Sequence, residues 1–307
     1  MITISYKAKQ LGVFIIKLLI VIAAFFFIYQ QLSKNNGINW EVFQILLRKN
    51  DSITGIIFIL FLSVLNRFLE ILKWQNLVST IHKISLLEAT KQVLASLTAG
   101  IFTPNGLGEY AGKALYYTKK ETKSILFLNI ICNGIQLLLT VFFGVIGLFL
   151  IGFTYWALII IAIIILVYIL LKLVKKIKIK GYSFQNFTHK LQEVPENIHR
   201  KNALLGVARY LVFSHQYYFL LIAFDVNLSY LTLMATITTV YFLASALPSF
   251  QFLDFAVKGS IAVYFFTLQD VNDWIVVFIT TLMWFLNVVI PVFIGSIYVM
   301  QYKPKWK

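Results

Sequence analysis

Charge is what this chain has least of. Asp, Glu, Lys and Arg together make up 13% of its 307 residues, against about 25% in soluble domains. Acid is scarcer than base: 12 Asp and Glu stand against 27 Lys and Arg, for a formal net charge of +15. One cysteine, Cys132, excludes disulfides and thiolate metal sites built from the chain alone. The histidines His82, His189, His199 and His215 have no ligand-like spacing. No H-E-x-x-H, G-x-S-x-G, C-x-x-C or phosphate-loop pattern occurs, so the motifs point to no enzyme, and no cofactor or metal is called for. Long polar stretches are missing too. The longest, residues 175–202, is too short to bury its own core.

Apolar residues fill the space, at 60% of the chain with a mean hydropathy of +0.82. Residues 11–29, 53–72, 124–152, 155–174, 203–224 and 274–300 are runs of the length needed to cross a hydrocarbon core. No ten-residue alternation marks a membrane barrel. The expected fold is all-α: one polytopic helical membrane domain over residues 1–307. Lys7 and Lys9 precede the first run, but no small-x-small cleavage site follows it, so it reads as an uncleaved helix in which Lys17 snorkels. The basic surplus fits topology signals and headgroup contacts; no basic-aromatic surface fold is on hand for nucleic acid.

Charge asymmetry orders the spans. If the N-terminus is cytoplasmic, Lys73, Lys83 and Lys91, then Lys119, Lys120 and Lys123, then the basic loop 175–202, then Lys303, Lys305 and Lys307 all fall inside. Arg48 and Lys49 dissent, beside Glu41 and Asp51. The expected location is a cell inner (cytoplasmic) membrane, with both termini cytoplasmic. Two segments do not cross. Residues 85–117 are broken at Thr103-Pro104-Asn105-Gly106-Leu107-Gly108-Glu109-Tyr110, with a first arm to Phe102 and a second to Tyr117; a later segment is broken at Pro248-Ser249-Phe250-Gln251. Each reads as a hairpin that enters and leaves by one face.

The hairpins match in spacing. Arg67 lies 37 residues before Pro104 and Arg209 lies 39 before Pro248; Ser85 and Ser229 each precede their proline by 19. An acid follows each proline (Glu109, Asp254), then a lysine (Lys113, Lys258). An odd number of crossings separates the copies. The expectation is two inverted repeats, about residues 53–152 and 203–300, each with a broken-helix hairpin, an arrangement found in alternating-access transporters.

The candidate site follows from the breaks. Pro104 removes a donor, Gly106 and Gly108 permit a sharp turn, and the next half-helix would aim its N-terminus at an anionic headgroup. An ordinary interfacial turn is the plainer reading. Arg67, Glu70 and Lys73 lie one turn apart near the inner end of a span. Arg67 either pairs with Glu70 or grips a phosphate; Lys73 either snorkels or belongs to a site. Glu109 and Lys113 either gate a charge or neutralise one another, and Arg209, Asp254 and Lys258 repeat that choice. His215 reads as hydrogen-bonded packing.

Asn66-Arg67-Phe68-Leu69-Glu70-Ile71-Leu72-Lys73-Trp74, followed by Thr103 through Tyr110 and Lys113, resembles the lysylphosphatidylglycerol synthase transmembrane-region family, also called flippase-like domain proteins. The Pro-x-x-x-Gly-Glu pattern is the specific part; order of spans carries the likeness over most of the chain. The resemblance implies movement of lipids between leaflets, with membrane lipids of phospholipid or polyprenyl type as partners. Without a soluble synthase domain by Lys307, it implies the stand-alone membrane branch. The second hairpin departs from the family pattern: no glycine follows Pro248 until Gly259. The reading is therefore a lipid flippase or translocase for an anionic or zwitterionic headgroup, bound by Arg67, Glu70, Pro104, Gly106, Gly108, Glu109, Lys113, Arg209, Asp254 and Lys258. Two alternatives stand beside it: a non-transporting subunit that gathers a cell-envelope lipid enzyme, and a membrane-embedded lipid transferase using Glu109 or Asp254 as base.

Overall fold

The computed structural model describes residues 52–101, 103, 106–174, 183–248 and 250–302, with ten isolated positions between 15 and 45. The expectations for Lys7, Lys9, Lys17, Arg48, Lys49, Phe102, Pro104, Ser249, Lys303, Lys305, Lys307 and most of the first span lie outside the described residues.

Every described element is helical. In chain order they are α1 (Ile53–Val78), α2 (Leu86–Gly100), α3 (Leu107–Ala114), α4 (Thr122–Leu150), α5 (Thr154–Leu173), α6 (Phe184–Glu193), α7 (Glu196–Ala223), α8 (Tyr230–Ala246), a 3-10 turn (Gln251–Leu253), α9 (Asp254–Thr267), α10 (Asp273–Trp284), a π turn (Phe285–Val289) and α11 (Ile290–Met300). The spacing-matched serines prove to be equivalent caps. Ser85 Oγ accepts from Glu88 N and opens α2, while Ser229 Oγ accepts from Thr232 N and opens α8. Glu88 also accepts from Ser85 N, completing a capping box.

Four stretches are long and apolar enough to cross a membrane: α1, α4, α5 and the run from α10 through α11. α7 is as long, at 28 residues, but carries Arg200, Lys201, Arg209 and His215. It starts at Glu196, seven residues before the expected run, because Pro195 supplies its N-terminus. The basic loop contains α6, whose Phe187 meets Phe127 of α4 at 5.5 Å between ring centroids. The first hairpin is shorter than its apolar run, its arms ending at Gly100 and Ala114.

α1 and α7 pack in opposite directions. Asn76 Nδ2 donates to Ile198 O (2.9 Å), Arg209 lies 3.3 Å from Glu70, and Gln216 Nε2 donates to Ser63 Oγ (2.7 Å). As residue numbers fall along one helix, they rise along the other. The α2–α3 hairpin starts where α1 ends and returns there, since His82 touches Glu121 at 2.5 Å. The α8–α9 hairpin starts where α7 ends, at the other end of the pair. The two hairpins thus enter from opposite ends, and their tips touch: Phe252 N donates to Ile101 O (3.3 Å).

The packing divides along the same line. One apolar core runs from Tyr217 to Met283, within α7 to α10; a second, around Ile71, Trp74, Leu77, Val93 and Ile125, lies in α1 to α4, with Val194 as its outlier. Across the division α8 lies on α4 and α2 on α11. Both contacts use a glycine against a carbonyl and a threonine. A Cβ on Gly147 would stand 2.5 Å from Ala235 O and 2.7 Å from Thr239 Oγ1; on Gly295, 2.2 Å from Leu94 O and 2.3 Å from Thr98 Oγ1. Small residues let helices approach where lipid offers no hydrophobic drive. Gly147→Ala and Gly295→Ala are each expected to cost about 1–3 kcal/mol, read as a lower Tm of the detergent-solubilised protein. An unchanged Tm for both would contradict this packing.

Candidate functional site

The long helices bring polar residues to one depth. Arg67 is residue 15 of 26 in α1, Gln136 residue 15 of 29 in α4, and Arg209 residue 14 of 28 in α7. Asn287 is residue 15 of 28 in the run Asp273–Met300. At about 1.5 Å rise per residue each lies roughly 20 Å from its helix ends. Within α1 Arg67 thus stands near the middle, and Glu70, residue 18 of 26, one turn nearer its C-terminal end. Around them lies a cavity of about 410 Å³. Its wall joins six of the expected residues, Arg67, Glu70, Glu109, Arg209, Asp254 and Lys258, from both halves of the chain.

Glu70 is held from two helices. Arg67 Nη1 donates to Glu70 Oε2 from the same helix, and Arg209 Nη2 approaches that oxygen at 3.3 Å from α7. Arg67 is also held from the far side, where Nη2 donates to the carbonyl of Asn287. Pro291, one turn on, has no N–H to give that carbonyl, so a proline and a π turn leave an acceptor for the guanidinium. The Asn287 side chain completes the wall: Asn66 Nδ2 donates to its Oδ1 (2.8 Å), and its Nδ2 donates to Gln216 Oε1 (3.0 Å).

Lys113 lies behind the cavity, with no exposed side-chain surface. Its Nζ donates to Glu109 Oε1 (2.8 Å) and Asn129 Oδ1 (2.8 Å) and stands 4.8 Å from the centroid of the Trp74 ring. Asp254 and Lys258, the matching pair of the second hairpin, also join but remain partly open, at 20% and 33% exposure. Lys73 does not snorkel: it is 1% exposed and donates to Cys132 O (2.9 Å). His215 stands away from the cavity, hydrogen-bonded to Leu211 O and the Tyr230 hydroxyl (both 2.8 Å).

Gly106 and Gly108 form the first hairpin's tip and do not line the cavity. Gly106 has φ +66, a left-handed turn suited to glycine. Gly108 lies so close to α2 that a Cβ would meet Ala99 O at 2.3 Å. The α3 N-terminus is less open than expected, since Gly108 N donates to Thr103 Oγ1 (2.8 Å) and Glu109 N to Gly106 O (2.9 Å). Around the second break the described Leu247 and Phe250 are extended (ψ 130 and 134), backbone that needs no glycine, and a 3-10 turn leads into α9.

The sequence reading missed Asn66, Asn133, Gln136, Tyr210, Gln251 and Asn287, all on the wall. Most are amides inside apolar runs, and polar side chains are costly at that depth unless they pair or line a wet cavity. That was the available signal. Three donors in the wall, Arg67 Nε, Arg209 Nε and the Tyr210 hydroxyl, are buried without a partner, as are the acceptors Asn66 Oδ1 and Gln251 Oε1.

No curated protein matches the chain. The family described as the lysylphosphatidylglycerol synthase TM region matches residues 14–250, which include α1 to α8 and every cavity residue before Gln251. With a match over well beyond half its length, this multi-pass helical chain belongs to the lysylphosphatidylglycerol synthase TM region family.

Proposed function

We propose that the protein is a lipid translocase rather than an enzyme, passing an anionic or zwitterionic headgroup through the mid-span cavity while the acyl chains stay in the bilayer. The supporting observation is the cavity itself. Charged residues of both hairpins and both long antiparallel helices converge halfway along the spans, where isolated charge is most costly. Such residues by default mark a substrate path, and broken helices at this depth survive only against protein or water. Family membership favours lipid as the cargo, since its description names a phospholipid synthase.

In this reading the two halves are inverted repeats, the membrane is a cell inner membrane and both termini are cytoplasmic. Antiparallel α1 and α7, tip-to-tip hairpins and paired glycine contacts favour the inverted sense. Arg67 and Arg209 hold the headgroup, with an ion pair from each hairpin flanking the cavity. The purified chain in proteoliposomes is expected to speed leaflet exchange of a headgroup-labelled phospholipid at least about tenfold over protein-free vesicles, measured by reduction of the outer-leaflet label. Exchange no faster than in empty vesicles, for phosphatidylglycerol, phosphatidic acid and phosphatidylethanolamine alike, would refute the proposal.

A further inference from the structure

We infer that the cavity favours a lipid headgroup with two negative charges at one phosphate site, a phosphomonoester or a diphosphate, over singly charged and zwitterionic headgroups. For lipid as the source this rests on the translocase reading; the charge preference rests on the wall together with the two lysines buried behind it.

Charge is counted residue by residue. Among the described residues at the cavity and directly behind it, five cations (Arg67, Lys73, Lys113, Arg209 and Lys258) meet three carboxylates (Glu70, Glu109 and Asp254). Lys113 is matched by Glu109, and Lys258 by Asp254. The remaining carboxylate, Glu70, is shared by two arginines, which leaves one positive charge on the wall. The second belongs to Lys73, one turn beyond Glu70 on α1, whose ammonium is held by a backbone carbonyl. The surplus is two.

A buried surplus of like charge costs free energy until a counter-charge arrives. A zwitterionic phosphodiester brings none and phosphatidylglycerol brings one. A phosphomonoester above its second pKa of about 6 brings nearly two, and a diphosphate at least as many. The hydrogen-bond inventory agrees. The unpartnered Nε of Arg67, Nε of Arg209 and hydroxyl of Tyr210 are donors that a small turn of each side chain would present to phosphate oxygens. The unpartnered oxygens of Asn66 and Gln251 suit water or a headgroup hydroxyl. Tyr210, for which the repeat spacing gives no role, becomes a phosphate donor.

The test is binding, read apart from transport. The full chain in detergent is presented at pH 8 with equal amounts of dioleoyl phosphatidic acid, phosphatidylglycerol and phosphatidylethanolamine, and retained lipid is counted by native mass spectrometry. Phosphatidic acid is expected to be retained at least about tenfold over phosphatidylglycerol, with a smaller lead at pH 5, where the monoester has lost most of its second charge. Arg209→Gln removes one surplus charge and should shrink the lead, while Arg209→Lys should keep it. Equal retention of phosphatidic acid and phosphatidylglycerol by the wild type, or preference for phosphatidylethanolamine, overturns the inference. Millimolar inorganic phosphate should leave the lead intact; its loss would assign the site to a soluble anion and overturn the lipid source. Leaflet exchange without selectivity would sink this inference alone, and selectivity without exchange would sink the translocase reading alone.

Discussion

Replacing Arg67 by glutamine is expected to slow leaflet exchange at least about 30-fold while the helical bundle stays assembled. Truncating one member of a buried hydrogen-bonded charge pair at a binding site costs about 2–5 kcal/mol, and each 1.4 kcal/mol is about tenfold. Arg67 carries that weight through two contacts at once, Glu70 on its own helix and the Asn287 carbonyl across the cavity. The fold should survive because Glu70 keeps Arg209 as a partner, and Gln216 still ties α7 to α1 through Ser63 and the Ile59 carbonyl. Exchange rates in proteoliposomes, with Tm in detergent as the folding control, check both halves. Wild-type rates in both Arg67→Gln and Arg209→Gln would remove the cavity from the mechanism.

The second large effect falls on stability and has a built-in rescue. Lys113→Met should destabilise the protein by about 3–5 kcal/mol, because it strips Glu109 and Asn129 of an ammonium partner that itself has no exposed side-chain surface. The cost lies chiefly in the carboxylate left unpaired, so Glu109→Gln added to Lys113→Met should recover most of it. Tm values of the two single variants and the double one give the coupling directly. A Lys113→Met protein as stable as the wild type, or a double variant no better than that single one, would show that the pair is not coupled as described. The matching Lys258→Met should cost far less, since its pair is partly open and surrounding water screens it.

Sequence alone carried the membrane class, the described spans and the two breaks, because hydropathy and breaker clusters are local signals. It also placed Arg67, Glu70, Glu109, Arg209, Asp254 and Lys258 together as candidates, and the fold does gather those six around one cavity. The reason is physical: a charge inside an apolar run must find a partner, and the matched spacings directed the charges of the two halves to one depth. Partner identity was not legible. Whether Arg67 grips Glu70, the Asn287 carbonyl or both depends on a helix 220 residues away in sequence. Pro291 inside the last run signals that the carbonyl one turn before it lacks its N–H donor, but not which side chain takes that donor's place. Lys73 stayed open between snorkelling and a site for a related reason. Snorkelling assumes a lipid-facing side chain, and this one faces α4, where Cys132 O receives it. The glycines of the first break drew attention as a headgroup cradle; the fold uses Gly108 to bring α3 against α2.

Sidedness tests the account at its root. Single cysteines at Lys83, after α1, and Asn227, after α7, both exposed, are introduced on a Cys132→Ser background and challenged with a membrane-impermeant thiol reagent in oriented vesicles. Hairpins entering from opposite leaflets require that each position label from one side only, Lys83→Cys from the cytoplasmic side and Asn227→Cys from the outer side. Labelling of both from the same side would place both hairpins in one leaflet and leave the cavity without a second entrance.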